Sequence, residues 1–286
     1  LVESSLGYRV SKRGMKMTSQ HQVDYDVIAV GAGFAGLGLI HHMREAGLSI
    51  HVFDKASDIG GTWAWNHYPG AASDSECYYY CLTFSKEILQ EWKWSVRYPG
   101  WEENLRYMHF VADKCDMWPH LQLNTEIVSA DFQESRGLWL VKTGAGEEYT
   151  CKYFISAMGM ISEPVIPKFK GMENFKGDCF HSARWPEGLD HAGKRVGIIG
   201  AGATTVQMLP VAAETAESVT VFQRTANFVM PAVQKPMTPE WEKEIKEIQP
   251  KKKQSGTRKY TPENILTIQF IYHLVKVTSI LLQHKT

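Results

Sequence analysis

Two short runs hold residue types able to cradle an anion: GAGFAG at residues 31–36 and GAGATT at residues 200–205. Each follows an apolar, β-branched run, YDVIAV and RVGII, and precedes a helix-like stretch, FAGLGLIHHMREAG and VQMLPVAAETA. A second strand-like run, SIHVFD and SVTVFQR, closes each unit. Strand, glycine loop, helix and strand in this order form the dinucleotide-binding fingerprint. In the first copy Gly31 permits the tight turn, Gly33 lets the backbone approach a pyrophosphate, and Gly36 lets the helix pack on the strand. The helix N-terminus then faces the anion. Asp54 stands 18 residues after Gly36, at the end of the second strand, where a carboxylate accepts hydrogen bonds from ribose hydroxyls.

In the second copy Gly200 and Gly202 keep their places, but Thr205 replaces the third glycine and is expected to loosen the helix on its strand. Arg224 stands where the first copy has its acid. A guanidinium there suits the 2′-phosphate of NADP, the alternative being a solvated surface arginine. Two units imply two dinucleotides.

Two further stretches concentrate aromatic and glycine residues. GGTWAWNHYPGAASD at residues 60–74 reads as GGxWxxxxYPGxxxD, and FKGDCFHSARWP at residues 175–186 reads as FxGxxxHxxxWP. In this order around two nucleotide units, they resemble the Baeyer–Villiger monooxygenases, within the class B flavoprotein monooxygenases. The resemblance covers residues 25 to about 231, and the SAMG of residues 156–159 is similar to the family's crossing point between flavin and nicotinamide domains.

The resemblance implies FAD in the first unit and NADPH in the second, with O2 and a small ketone as co-substrates and an ester or lactone as product. It places Gly31, Gly33, Phe34, Gly36, Asp54, Gly61, Thr62, Trp63, Trp65, Asp74, Tyr80 and Ile127 against FAD. Gly200, Gly202, Ala203, Thr204, Thr205, Gln207, Arg224 and Thr225 fall against NADP. Trp63 and Trp65 would act as rigid walls for a flat isoalloxazine, although packing explains Tyr80 equally well. Asp74 becomes the catalytic position, expected to orient an arginine that this chain does not supply. His181 becomes a coupling residue in the hinge between domains rather than a general base, with a core histidine as the other reading.

Some residues depart from the family's pattern. Asp54 stands where relatives commonly carry glutamate, and Ala72 and Ser73 replace the usual arginine and cysteine before Asp74. Family members also run well past 286 residues. Two readings therefore stand: a flavin monooxygenase whose full activity resides in a longer chain, and a catalytically inactive FAD/NADP-binding remnant. A complete FxGxxxHxxxWP disfavours N-hydroxylating or sulfoxidising relatives.

The expected fold is α/β, with two Rossmann-like βαβ units built on parallel sheets, an FAD domain and a partial NADP domain. The boundaries are 1–24 for an N-terminal extension, 25–160 for the FAD domain, 161–194 for a linker, 195–234 for the NADP domain and 235–286 for a charged and apolar helical tail. LQLNTEIV, WLVKT and YTCKYFISAMG should form an antiparallel excursion that returns to the first sheet. Residues 102–118, with Leu105, Met108, Ala112 and Cys115 at helical spacing, should form a core-facing helix.

Composition narrows the partners. Thirty-one basic residues balance 31 acidic ones, so no global field recruits nucleic acid or an anionic membrane. Five cysteines without a CxxC pair disfavour zinc and dithiol chemistry and suit a reducing, cytoplasmic compartment. Cys77 and Cys81, four apart, are read as buried structural thiols able to share a helix face. The apolar run at residues 264–282 is broken by Gln269, His273 and Lys276 and is read as a packed rather than a membrane-spanning helix.

Overall fold

The computed structural model describes residues 23–254. Strand β1 (Tyr25–Val30) runs through the middle of a sheet, because its alternate side chains are apolar on both faces. Helix α1 (Phe34–Glu45) follows, and β2 (Ile50–Phe53) returns parallel to β1, Val27 opposite Ile50 and Val30 opposite Phe53. After the short helix α2 (Thr62–Trp65) come α3 (Lys86–Glu91) and α4 (Trp101–Lys114). Helix α4 presents Tyr107, Met108, Val111 and Ala112 to the core. Strands β3 (Leu121–Gln122), β4 (Ile127–Gln133), β5 (Leu138–Thr143) and β6 (Glu148–Ser156) complete a six-stranded sheet of order β3-β2-β1-β6-β5-β4.

The first sheet is mixed. β3, β2, β1 and β6 are parallel, whereas β6, β5 and β4 form an antiparallel wing. Cys151 belongs to both, opposite Tyr25 on one side and Trp139 on the other. The wing folds over one face of the parallel part, enclosing Ile28, Phe53, Val141 and Cys151. The other face, with Val27, Ala29, Ile50 and Val52, packs on α1 and α4. LQLNTEIV is two strands rather than one. Asn124 turns into the left-handed region at φ 52, a conformation asparagine tolerates, and its N–H donates to Ala56 O.

The chain then crosses residues 157–194, which hold short 3-10 turns but neither strand nor α-helix. Strand β7 (Arg195–Ile199), helix α5 (Ala203–Thr215) and β8 (Ser218–Phe222) form the second unit, a parallel two-stranded sheet. Residues 234–237 then come back to the first unit. The Gln234 side chain accepts from Tyr98 N and donates to Tyr98 O, and Val96 bridges Pro236. The charged stretch beyond is helix α6 (Pro239–Gln254), tied to α3 where Lys246 Nζ donates to Gln90 O at 2.8 Å.

Cys77 and Cys81 lie in turns, not on a helix, because Ser75–Cys81 is held by local hydrogen bonds such as Tyr80 N to Glu76 O. Cys77 and Cys151 are buried, and burial pushes both thiols up to about 12. Cys179 is exposed. Among the described residues no helix is long and apolar enough to cross a membrane, and residues 264–282 lie outside them.

Asp26 staples the parallel strands. It accepts from Lys152 Nζ at 2.6 Å and from Ser49 N and Oγ at 3.0 and 2.9 Å. The Lys152 hydrogen bond, then those from Ser49, hold its carboxyl at about 2 instead of 3.8. Because the folded pKa is depressed, the stabilisation is complete above about pH 4 and disappears as pH falls toward 2. Asp26→Asn should therefore lower the melting temperature at pH 7 and flatten its fall between pH 4 and 2. Parallel acid limbs for the two proteins in thermal scans would contradict this role.

Candidate nucleotide-binding site

The two glycine loops share one backbone geometry. Gly31 has φ 111 and Gly200 φ 112, and Gly33 and Gly202 both enter their helices in extended conformation. Neither helix carries a side-chain N-cap or an acid in its first turn. Each N-terminus thus offers N–H groups and a positive dipole end that no side chain neutralises.

The first loop is packed backbone against backbone. A Cβ at Gly31 would lie 2.4 Å from Ala157 O, and one at Gly36 would lie 2.1 Å from Gly31 O. The Gly60–Gly61 turn presses on the same loop: a Cβ at Gly61 would meet Gly33 Cα at 2.9 Å, and Gly60 N donates to Ala32 O at 3.0 Å. Asp54 is buried, and its carboxylate accepts from Ala32 N at 2.6 Å and from Ala56 N at 2.9 Å. The acid read as a ribose ligand is therefore also the clasp of the glycine loop.

The second loop meets the same steric problem differently. Thr205 is buried, and its hydroxyl donates to Gly200 O at 3.1 Å, the carbonyl equivalent to the one Gly36 avoids. The substitution adds a hydrogen bond where a looser contact was expected. An added Cβ at Gly200 or Gly202 would meet nothing within 4 Å, so this loop is open. Ala203 is exposed and Thr204 half-buried, while Arg224 and Thr225 are exposed just beyond β8. Asn227 Nδ2 donates to Ala201 O and folds the segment after β8 back toward the loop.

The aromatic stretch divides into two roles. Trp63 is 6% exposed; its indole N–H donates to Tyr80 OH at 3.1 Å, and the two rings meet edge to face at 5.9 Å. Phe34 packs on Tyr80 at 4.6 Å, so Trp63, Tyr80 and Phe34 form one core cluster rather than an open wall. Burial raises the Tyr80 hydroxyl above its ordinary value. Trp65 is partly exposed, and the Arg184 guanidinium lies over its ring at 4.6 Å. Thr62 is exposed at the start of α2, and Ile127 opens β4 and packs in the wing.

The YPGxxxD half faces the second unit. Gly70 has φ 78, and a Cβ there would lie 2.4 Å from Gln207 O of α5. Tyr68 and Ala71 share a cluster with Ile198 and Met208. Asp74 is exposed and accepts from Gln207 Nε2 at 2.6 Å. His181 Nδ1 accepts from Ala183 N at 3.1 Å, capping the turn that sets Arg184 over Trp65. Sequence reading missed Arg184 as a link, since it fills a variable position of its motif.

The signature of the family described as flavin-binding monooxygenase-like matches residues 25–247, and the chain belongs to that family. It is 46% identical over 209 residues to a Baeyer-Villiger monooxygenase of Pseudooceanicola batsensis, covering 73% of this chain and 38% of that protein. It is 42% identical over 217 residues to a phenazine N-monooxygenase of Lysobacter antibioticus, covering 76% and 40%. The solved cyclohexanone monooxygenase from Rhodococcus sp. Phi1 bound to NADP+ superposes with a TM-score of 0.75 at 41% identity, covering 78% of this chain and 42% of that one. The chain thus spans about two fifths of the length of these relatives. These relatives include an N-monooxygenase beside Baeyer-Villiger and cyclohexanone monooxygenases at similar identity.

The two loops should lose stability unequally on substitution. Gly36→Ala forces a methyl into a backbone carbonyl and should cost more than about 2 kcal/mol, whereas Thr205→Ala loses one hydrogen bond, about 1 kcal/mol. Urea unfolding of both variants checks this, and equal losses would contradict it.

Proposed function

We propose that the chain is the FAD- and NADPH-binding part of a monooxygenase that inserts one oxygen atom from O2 beside a ketone carbonyl, giving an ester or lactone. The observation that carries this reading is the pair of matched glycine loops, each opening a helix whose first turn has neither side-chain cap nor acid. Backbone contacts that admit no Cβ at Gly31, Gly36 and Gly61 hold the first loop in the tight turn the fingerprint requires, with the uncapped N–H groups of α1 at its end. The family's flavin binding and the NADP+ in the Rhodococcus relative support the same assignment.

In this reading the N–H groups of Gly33 and Phe34 bind the FAD pyrophosphate, and Asp54 keeps free lone pairs for the adenosine ribose. Thr62 and Trp65 stand at the exposed side of α2, where the flavin ring would rest, while Trp63 and Tyr80 support that wall from behind and Ile127 packs in the wing on the other face of the sheet. Gly202, Ala203 and Thr204 bind the NADPH pyrophosphate, and Arg224 with Thr225 takes its 2′-phosphate. Asp74 is the acid at the reaction centre, where it orients a cation. Bound flavin supplies the redox and oxygen chemistry; the protein binds, orients and excludes water. The regions 25–160 and 195–234 act as separate nucleotide domains, coupled through the turn that His181 caps.

Two substitutions test the assignment. Gly33→Val should abolish flavin retention, read as flavin absorbance per folded protein, since the side chain stands where the pyrophosphate approaches. Undiminished flavin would sink the first half of the proposal. Arg224→Ala should weaken NADPH by roughly ten- to hundredfold while NADH changes little, because a charge-assisted contact to phosphate is worth about 1.5–3 kcal/mol. Titration of each nucleotide decides it: equal losses would assign Arg224 to folding, and no loss would return it to the solvated surface.

A further inference from the structure

The Gln207 amide has four hydrogen-bonding positions, and all four are filled from the first unit. Nε2 donates to Asp74 Oδ1 at 2.6 Å and to Ala72 O at 3.0 Å. Oε1 accepts from Tyr68 OH at 2.7 Å and from Ala72 N at 3.3 Å. An amide offers two N–H donors and two lone pairs, so none remains for a nucleotide. The backbone behind it is equally committed, because Gly70 rests against Gln207 O and Tyr68 packs beside Met208. Gln207 sits in the second turn of α5, the helix that rises from the second glycine loop. Any tilt of that helix moves the amide that holds Asp74.

We infer that Gln207 is a positioning residue for Asp74, transmitting the seating of α5 over the second glycine loop to that carboxylate. The inference rests on the reading of Asp74 as the acid at the reaction centre. An exposed aspartate would otherwise sample several rotamers. Held by Gln207, it has one direction set by the second unit.

Gln207→Glu replaces the donor by a second carboxyl at hydrogen-bond distance from Asp74. The two can share one proton but cannot both ionise there without repulsion. Tyr68 is the titratable group in contact with the pair, and burial raises its hydroxyl further from neutrality. His67 adjoins Tyr68, and the Glu76–Arg97 ion pair lies two residues beyond Asp74. These groups are common to every variant and cancel in the comparison.

Thermal unfolding of the chain between pH 5 and 8 is the measurement. Gln207→Glu should melt roughly 2–6 °C below the parent at pH 8, with the deficit at least halved at pH 5. Gln207→Glu combined with Asp74→Asn restores an amide to carboxylate bond with the roles exchanged, and should at least halve the pH dependence, the remainder coming from the carboxylate that now faces Ala72 O. A deficit equal at both pH values, a double variant as pH-dependent as the single one, or failure of both to fold at pH 5 would overturn the proposal. With flavin bound, the NADP+-induced change in flavin absorbance in Gln207→Glu should grow as pH falls from 8 to 5. A chain that retains no flavin yet shows the melting pattern keeps the Gln207–Asp74 link and sinks the flavin reading. Flavin retention with a pH-independent deficit does the reverse.

Discussion

The structure depends on a place where no side chain fits. The end of β1, the start of α1, the Gly60–Gly61 turn and Ala157 after β6 converge so closely that main-chain atoms of one segment lie against those of the next. A single methyl at Gly31, Gly36 or Gly61 would meet another segment's backbone, or the loop's own, closer than packed atoms allow. That contact fixes the angle of α1 on its strand and the start of α2. It also fixes the point at which the chain leaves the first sheet. Asp54 adds electrostatic closure, tying β2 to the loop through Ala32 N.

The second unit reaches the same loop dihedrals with other means. Thr205 converts an avoided carbonyl into a hydrogen-bond acceptor, and its loop has no neighbouring backbone of the kind that confines Gly31. It meets the first unit through the Gly70 turn against Gln207 O, the cluster of Tyr68 and Ala71 with Ile198 and Met208, and Gln207 on Tyr68, Ala72 and Asp74, while Arg184 of the crossing segment lies over Trp65. Gln234 returns the chain to Tyr98 with an amide that mimics a strand. The first loop is therefore closed by backbone packing, while the second unit is positioned by a turn, an apolar cluster and a few polar contacts.

Both glycine units were legible in the sequence because their spacing is local: strand, turn and helix follow one another within about thirty residues, the size of a βαβ unit. The return of β6 to the first sheet was legible from the strand-like run YTCKYFISAMG. The split of LQLNTEIV was not, since a left-handed Asn124 leaves no trace in hydrophobic periodicity. Nor was the inward turn of Trp63, because an aromatic between glycines reads equally as a wall or as core. The pairing of Gln207, read as a nicotinamide-dinucleotide contact, with Asp74 and the link through Arg184 escaped for a further reason. Their partners lie more than a hundred residues away in the chain, and pairing at that distance has no signature in one sequence.

The same long separation sets an order of assembly. Asp24 and Thr150, which join β1 to β6, are 126 residues apart. At about 5–20 residues per second, a ribosome needs roughly 6–25 s to make that span. During that interval β1 can pair with β2 and dock α1, all within its first thirty residues, but its other edge stays open. The central strand of the finished sheet thus begins life as an edge strand, with unpaired N–H and C=O groups facing outward. The nascent chain is most exposed to wrong pairing before the wing exists, and emergence of β6 ends that period.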